Sequence, residues 1–201
     1  MRSSRDRILD GAVQVMRTRG LANATTKEIA KAAGLSEAML YKVFADKVDL
    51  FLGVFSERLP RVSVLHDGLG GYVGRDTVAA NLRRLTGELL GFYLESFPIA
   101  ASVFSDADLL RRQREGLHAL RAGPDKVVDG VSEYLAAEQH TGRIVGDAPI
   151  RVIAELLVGA CLHRAFITRF AEQTLTPTQT RRFARDTVNA LLPILGTEGE
   201  P

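Results

Sequence analysis

The sequence predicts an all-α protein of about nine helices, in which an N-terminal three-helix segment precedes a larger helical domain. Apolar residues recur at the spacing of amphipathic helices along most of the chain, and no segment sustains the alternation of a strand. The 201 residues, of which 46% are hydrophobic, are enough to bury a substantial core. We place the domain boundary between residues 48 and 49, which gives domains 1–48 and 49–201.

The first helix is predicted to run from Ser4 to Arg19. Ile8, Ala12 and Val15 fall on one face of this segment, so that face is expected to pack inward. Gly20 is expected to stop the helix, because glycine is common just past a helix C-terminus.

Two short helices separated by a glycine are predicted next. Thr25 followed three residues later by Glu28 forms the pattern of a capping box, which opens a short helix. Gly34 ends that helix, since glycine adopts the left-handed backbone of a helix end without steric cost. Ser36 can then cap a second helix from Glu37 to Phe44.

The remaining helices are assigned by periodicity and by proline positions. Asp46 can cap a helix that begins at Lys47 and continues towards Leu65, and the glycine-rich residues 66–74 indicate a linker. A long core helix then ends before Pro98. Further helices are predicted around 99–104 and 106–121, and after Pro124, Pro149 and Pro177.

Charge is distributed unevenly along the chain. Residues 1–47 carry nine Lys and Arg against five Asp and Glu, a net charge of +4, whereas the whole chain carries only +2. Such an asymmetry is typical of a polyanion-binding N-terminal module, although an ordinary solvated face would give the same pattern.

Several classes of protein are not supported by the composition. No apolar run approaches the length of a membrane span, and no secretory signal pattern is present, so we expect a cytoplasmic protein without a membrane partner. The single Cys161 cannot form an intrachain disulfide, which fits a reducing compartment.

Catalytic and metal-binding patterns are also missing from the sequence. Cys161 and His163 are two residues apart on a predicted helix and therefore point in different directions. His66, His118 and His140 show no ligand spacing. We therefore expect no enzyme activity, no catalytic residue, no metal and no cofactor.

A helix, a glycine-containing turn and a second helix within about 20 residues form a helix-turn-helix unit. The apolar packing positions of this unit are Ile29, Ala30, Ala33, Leu35, Leu40 and Val43. In the DNA-binding version, the second helix lies in the major groove and the first crosses the DNA backbone. On the motif alone, an ordinary helix hairpin remains an alternative.

The segment from Arg7 to Phe51 resembles the DNA-binding domain of the TetR (tetracycline-repressor-like) family of bacterial transcriptional regulators. The matching positions are Arg7, Ile8, Leu9, Gly20, Thr25, Ile29, Ala30, Ala33, Gly34, Leu35, Ser36, Leu40, Tyr41, Phe44, Lys47 and Leu50. The resemblance implies an all-helical protein whose divergent C-terminal domain binds ligand and dimerises. Ala38 and Met39 stand where the family often has Gly and Thr, and Lys42-Val43 where it often has two histidines, so no operator sequence can be transferred.

The second helix of the motif supplies the residues expected to face bases. Ser36, Ala38 and Met39 are candidate base contacts, and Met39 could touch a thymine methyl group. Lys42 is expected to contact a base edge or a phosphate through its charged amine. Glu37 could accept from a cytosine amino group, or it could only favour the helix N-terminus.

Phosphate contacts are expected around this helix. Thr25, Thr26 and Lys27 lie at a helix start, where backbone N–H groups suit a phosphate. The resemblance implies that Tyr41 reaches phosphate through its hydroxyl, although a core tyrosine is the alternative, and that Lys47 contacts phosphate. Arg2 and Arg5 could form a minor-groove arm or a disordered basic end.

A homodimer and an effector site are implied for the C-terminal domain. The segment 152–167 is apolar around most of its circumference, as in a helix buried on two sides, and a helix buried within one chain is the alternative. The expected dimer interface comprises Leu156, Gly159, Ala160, His163, Val188, Leu191 and Leu195. The candidate effector contacts are Phe92, Tyr93, Phe97, Phe104, His118, His163 and Phe166, although residues of these types at helical spacing are more often plain core.

These observations favour a ligand-responsive transcriptional regulator. The expected form is a repressor that binds a palindromic double-stranded DNA operator as a homodimer and is released by a small-molecule effector. The alternatives are an activator of the same fold and a helical interaction scaffold without DNA binding.

Overall fold

The computed structural model describes residues 2–19, 24–58, 70–104, 107–119 and 123–196. Within these ranges the chain contains α-helices and one 3₁₀ turn at Gly70–Tyr72, but no strand, so the predicted all-α class is confirmed. The helices are α1 Ser4–Arg19, α2 Thr26–Ala32, α3 Glu37–Val43, α4 Lys47–Glu57, α5 Val78–Val103, α6 Ala107–Ala119, α7 Pro124–His140, α8 Ile150–Phe170 and α9 Pro177–Leu195. None of these described helices has both the length and the apolar character needed to cross a bilayer.

The chain divides into two compact units that are not continuous in sequence. Unit 1 comprises Met1–Leu59 and Glu95–Ala122, and unit 2 comprises Pro60–Leu94 and Gly123–Pro201. Helix α5 contributes its first part to unit 2 and its second part to unit 1. The predicted boundary between residues 48 and 49 separates a DNA-binding domain from an effector-binding and dimerisation domain. This functional division stays a prediction.

The core of unit 1 is built mainly by α1 to α4, and Val103 of α5 also belongs to it. Ile8, Ala12, Val15 and Met16 of α1 are buried, as the periodicity predicts. Gly11 lies between them, where a Cβ atom would come within 2.9 Å of the backbone nitrogen of Ala33. The close approach of α1 to the end of α2 therefore requires glycine at this position.

The core of unit 2 joins the first part of α5 to α7, α8 and α9. Its fully buried residues include Leu82, Leu89, Leu135, Leu157 and Val188. Cys161 belongs to the same cluster, and burial raises the pKa of its thiol to about 12. The thiol is therefore protonated at neutral pH and serves as a small apolar side chain.

Helix α5 continues through Pro98, which corrects the prediction of a helix end before this residue and a separate helix at 99–104. Proline has no N–H to donate to the carbonyl of Leu94, four residues earlier. The guanidinium of Arg169 in α8 donates to that carbonyl at 2.6 Å. The hydrogen bond that Pro98 removes is thus replaced by a side chain, and the helix does not have to break.

The second half of the predicted linker is part of unit 2. Tyr72 and Val73 pack against the unit 2 core, and the N–H of Gly74 donates to Glu138 at 3.3 Å. Glu138 is fully buried and forms an ion pair of 3.0 Å with Arg143. Residues 70–74 therefore do not act as a linker. Residues 66–69, the expected extension of α4 towards Leu65 and the stop at Gly20 lie outside the described residues.

Replacing Gly11 by alanine should destabilise unit 1, although alanine is the better helix former. The added Cβ would meet backbone atoms of Ala33 and Ile29 at 2.9 and 3.0 Å, so the two helices would have to separate. We expect the free energy of unfolding, measured by urea denaturation, to fall by about 1 to 3 kcal/mol.

The matched control is Gly91→Ala in α5, where an added Cβ would meet no atom within 4 Å. This variant should be unchanged or more stable by up to about 1 kcal/mol. Equal effects of the two substitutions would show that the α1–α2 contact does not require glycine.

Candidate functional site

The turn between α2 and α3 is closed by backbone hydrogen bonds. The N–H of Leu35 donates to the carbonyl of Ala30 at 2.9 Å, and the N–H of Gly34 donates to that of Lys31 at 3.0 Å. Gly34 has a φ of 65°, so the backbone is left-handed there. This pattern is the Schellman motif, and it confirms the predicted role of Gly34 as the residue that ends the helix.

Arg7 of α1 binds the same turn from outside. Its guanidinium donates to the carbonyl of Ala33 at 2.9 and 3.2 Å and to that of Gly34 at 3.0 Å. Carbonyls at the end of a helix have no intrahelical donor and carry partial negative charge, so a cation there is favourable. From the sequence, Arg7 is recognisable only as a position that resembles the TetR family, because its hydrogen-bond acceptors are backbone atoms 26 and 27 residues away.

The predicted caps form as the sequence indicates. The hydroxyl of Thr25 accepts from the N–H of Glu28 at 3.2 Å, and the Glu28 side chain returns to the Thr25 N–H, which completes the capping box. The hydroxyl of Ser36 accepts from the N–H of Met39 at 3.2 Å. Both helices of the motif therefore have a fixed first turn.

Helix α3 separates an inward residue from an outward face. Leu40 is fully buried in unit 1. The outward face consists of the exposed residues Ser36, Glu37, Ala38, Tyr41 and Lys42 and the half-buried Met39. Tyr41 is 50% exposed, which excludes the alternative of a core tyrosine.

A hydroxyl cluster links the start of α2 to α3. The Thr26 hydroxyl donates to the carboxylate of Glu37, and the Tyr41 hydroxyl lies 3.3 Å from the Thr26 hydroxyl as its donor. Glu37 thus holds a third role that neither sequence interpretation included. It orients Thr26 and, through it, the aromatic ring of Tyr41.

The lysines around this surface differ from the arginines of unit 1 in their partners. Arg2 pairs with Asp10, and Arg58 pairs with both Asp6 and Asp10. The described ion pairs of unit 1 are all formed by arginine. Lys27 and Lys42 are exposed and have no described acidic partner.

Arg5 is a residue of α1 and not part of a disordered end. Its guanidinium lies 2.7 Å from Glu57 and 4.6 Å from the ring centre of Phe44. A minor-groove arm that includes Arg5 would have to break both contacts.

Lys47 opens α4 beside a charged cap. Asp46 accepts from the N–H groups of Asp49 and Val48 at 3.0 and 2.8 Å, and Arg112 also donates to its carboxylate. These donors, first of all the N–H of Asp49, hold the pKa of Asp46 below its usual range. The Lys47 amine lies 5.4 Å from the ring centre of Phe51, with its side chain half-buried.

Helix α8 carries an apolar stripe on its outward face. The stripe, defined as Val152, Leu156, Gly159, His163, Phe166 and Phe170, follows a three- and four-residue spacing, and each member is exposed. Leu156 is 53% exposed and Phe170 78%. Because the opposite face packs in the unit 2 core, the alternative of a helix buried all round within one chain is excluded.

Part of the expected dimer interface is core. Val188, Leu191 and Leu195 of α9 are at most 7% exposed and pack inside unit 2, which corrects their assignment as interface side chains. Ala160 is half-buried at the edge of the stripe. On α9, Ile194 is the large apolar residue on the exposed side among those described.

The candidate effector residues fall in different surroundings. Phe92 and Tyr93 pack against the unit 2 core with ring centres 5.3 Å apart, and burial raises the pKa of Tyr93 to about 12. His163 and Phe166 lie on the exposed stripe of α8, where the Phe166 ring centre is 5.9 Å from that of Phe170.

The other three candidate effector residues belong to unit 1. Phe97 is half-buried, whereas Phe104 and His118 are exposed. The structure therefore brings Phe92 and Tyr93 together but leaves the assignment of the whole group a prediction.

Comparison with known proteins gives a family match in the N-terminal part of the chain. Residues 8–54 match the family described as bacterial regulatory proteins, tetR family. The HTH-type transcriptional regulator YvkB of Bacillus subtilis is 40% identical over 57 residues, which are 28% of this chain and 30% of that protein. The match thus spans less than a third of the relative's length.

Solved structures resemble the chain over nearly its whole length. A TetR-family transcriptional regulator from Mesorhizobium loti has a TM-score of 0.75 at 18% identity, covering 95% of this chain and 96% of its own. The transcriptional regulator FadR from Bacillus subtilis, solved in complex with stearoyl-CoA, has a TM-score of 0.66 at 16% identity, covering 96% of this chain and 99% of its own. These similarities show a shared fold. Residues 8–54 therefore match the tetR family of bacterial regulatory proteins, and the chain as a whole shares the fold of these solved structures.

Proposed function

We propose that the protein is a dimeric repressor that binds a palindromic DNA operator and leaves it when a small-molecule effector binds. The observation that carries the proposal is the outward face of α3, whose polar and cationic side chains are exposed while Leu40 anchors the helix in unit 1. A helix held in this way can enter a major groove without unfolding the unit.

Base contacts come from the first turns of α3. Ser36, Glu37, Ala38 and Met39 lie where the N-terminal part of a recognition helix meets base edges. Lys42 follows on the same face and contacts a guanine edge or a phosphate. The Glu37 carboxylate has to release the hydrogen bond that it accepts from the Thr26 hydroxyl before it can accept one from a cytosine amino group.

Phosphate contacts come from the residues that surround α3. Thr25 and Lys27 are exposed at the start of α2, and Thr26 lies between them. The Tyr41 hydroxyl and the Lys47 amine complete the set. Such contacts fix the orientation of the protein on the duplex, and they carry no sequence information by themselves.

Dimerisation occurs through the α8 stripe. An exposed apolar stripe at coiled-coil spacing is typical of a helix that packs against a second helix. Gly159 lies in the middle of the stripe, where an added Cβ would meet nothing within 4 Å in the single chain. Two copies related by a twofold axis would present two α3 helices to half-sites about 34 to 36 Å apart.

Effector binding takes place in unit 2, with Phe92 and Tyr93, which lie together against its core, as candidate contacts. The FadR structure holds stearoyl-CoA, so a protein of this fold accommodates a ligand. To shift the dimer from 1:99 to 99:1 in favour of the released state, the effector must prefer that state by about 5.5 kcal/mol. The proposed site of action is the bacterial cytoplasm, and no enzymatic step is required.

Lys42→Ala should weaken operator binding by about 1 to 3 kcal/mol if Lys42 contacts a base. The measurement is a titration of labelled duplexes, taken from DNA upstream of the protein's own gene, at two salt concentrations. If Lys42 contacts phosphate, affinity should fall for every duplex and the salt slope should drop by about one.

The matched control is Lys126→Ala, which removes an exposed lysine from unit 2. Its titration should overlay that of the unmodified protein. Unchanged affinity of Lys42→Ala would remove Lys42 from the interface, and no affinity of the unmodified protein for any duplex would favour a scaffold without DNA binding.

Gly159→Arg should convert the dimer to monomers, because a long cation would replace the smallest residue of the apolar stripe. Sedimentation velocity measures the change directly. The control is Ala136→Arg, which introduces the same side chain at an exposed position of α7. This control should remain dimeric, and a dimeric Gly159→Arg protein would place the interface elsewhere.

A further inference from the structure

An open groove of about 670 Å³ lies in unit 2 between the first turns of α5 and those of α9. Five arginines line it, two from α5 and three from α9: Arg83, Arg84, Arg181, Arg182 and Arg185. Thr178, Thr180, Gly87 and Ala184 form the rest of the lining. None of these residues belongs to the DNA-binding set or to the α8 stripe.

The positive charge of this arginine groove is only partly compensated. Arg182 and Arg185 share one carboxylate, that of Asp186, at 3.5 and 2.9 Å. The Nε atom of Arg84 lies 3.9 Å from a carboxylate oxygen of Glu88. The Arg84 guanidinium also stacks on Tyr72, with its central carbon 3.7 Å from the ring centre. Among the described residues, the five guanidinium groups are therefore accompanied by two carboxylates, those of Asp186 and Glu88.

The remaining two arginines have neutral described partners. Arg83 donates to the side-chain oxygen of Asn189 at 3.0 Å, and its Nε atom is buried without an acceptor among the described residues. Arg181 donates to the hydroxyl of Thr178 at 3.3 Å. The described residues thus leave part of the hydrogen-bonding capacity of these two guanidinium groups unused.

Gly87 keeps one wall of the groove open. It lies inside α5, where glycine is less favourable than alanine, and an added Cβ would meet nothing within 4 Å. Packing against the described residues therefore gives no steric reason for glycine here. A bound molecule that approaches the helix backbone would give one.

We propose that the arginine groove binds a small molecule carrying two or more phosphate groups. Arginine forks match phosphate oxygens in bidentate geometry, and the hydroxyls of Thr178 and Thr180 add donors. The volume falls within the range of about 300 to 1,000 Å³ that is usual for small-molecule sites. The proposal does not rest on DNA binding, since every residue that carries it lies in unit 2.

The test is isothermal titration calorimetry of the full-length protein, free of DNA, with inorganic tripolyphosphate and with ATP. Both should bind, more weakly as salt rises, whereas adenosine should not bind. Arg181→Gln should weaken both affinities by about tenfold or more, because a charge-assisted contact is lost. Arg114→Gln, which removes an exposed arginine of unit 1, and Lys42→Ala should leave them unchanged.

Gly87→Leu is the second variant, and it blocks the groove without removing a charge. It should abolish tripolyphosphate and ATP binding while the melting temperature and duplex affinity stay at their original values. The proposal is overturned if the unmodified protein binds neither probe, if Arg114→Gln weakens binding as much as Arg181→Gln, or if Lys42→Ala removes the binding. It is equally overturned if Gly87→Leu binds both probes normally.

Discussion

The hydrogen bonds from Arg7 to the carbonyls of Ala33 and Gly34 are the constraint on which the geometry of the α2–α3 turn depends. They hold α1 against the point where α2 ends, while the left-handed Gly34 redirects the chain into α3. Leu40 then fixes the rotation of α3 by burying one of its faces. The outward face is therefore fixed in the free protein, which would lower the ordering cost of the proposed DNA binding.

Unit 2 uses one helix for two purposes. The inward face of α8 fills the core through residues such as Leu157 and Cys161, and Arg169 repairs the helix bond that Pro98 removes from α5. The outward face presents the apolar stripe. Exposure of these apolar side chains to water is unfavourable, and the proposed dimer would cover them.

Local signals made much of unit 1 predictable. The caps at Thr25 and Ser36 and the stop at Gly34 depend on hydrogen bonds and backbone angles within a few residues, and the sequence shows all of these residues together. The continuation of α5 through Pro98 was not predictable in the same way. It depends on Arg169, which lies 75 residues from Leu94.

The proposed functional surfaces could also be predicted only in part from the sequence. Periodicity identified apolar positions on α8 and α9, but it could not tell that Val188 faces the core while Leu156 faces outward. The hydroxyl cluster of Thr26, Glu37 and Tyr41 required the α2–α3 crossing, and the arginine groove required α5 and α9 to meet. Such juxtapositions are tertiary, and spacing along the chain does not encode them.

Methylation protection at guanine N7 tests the reading of DNA by α3 most directly, since this atom lies in the major groove. The substrate is DNA upstream of the protein's own gene. Insertion of two α3 helices predicts two protected guanine patches, related by twofold symmetry, with centres about 10 to 10.5 base pairs apart or a multiple of that spacing. Bound DNA whose major-groove guanines react as fast as those of free DNA would contradict it.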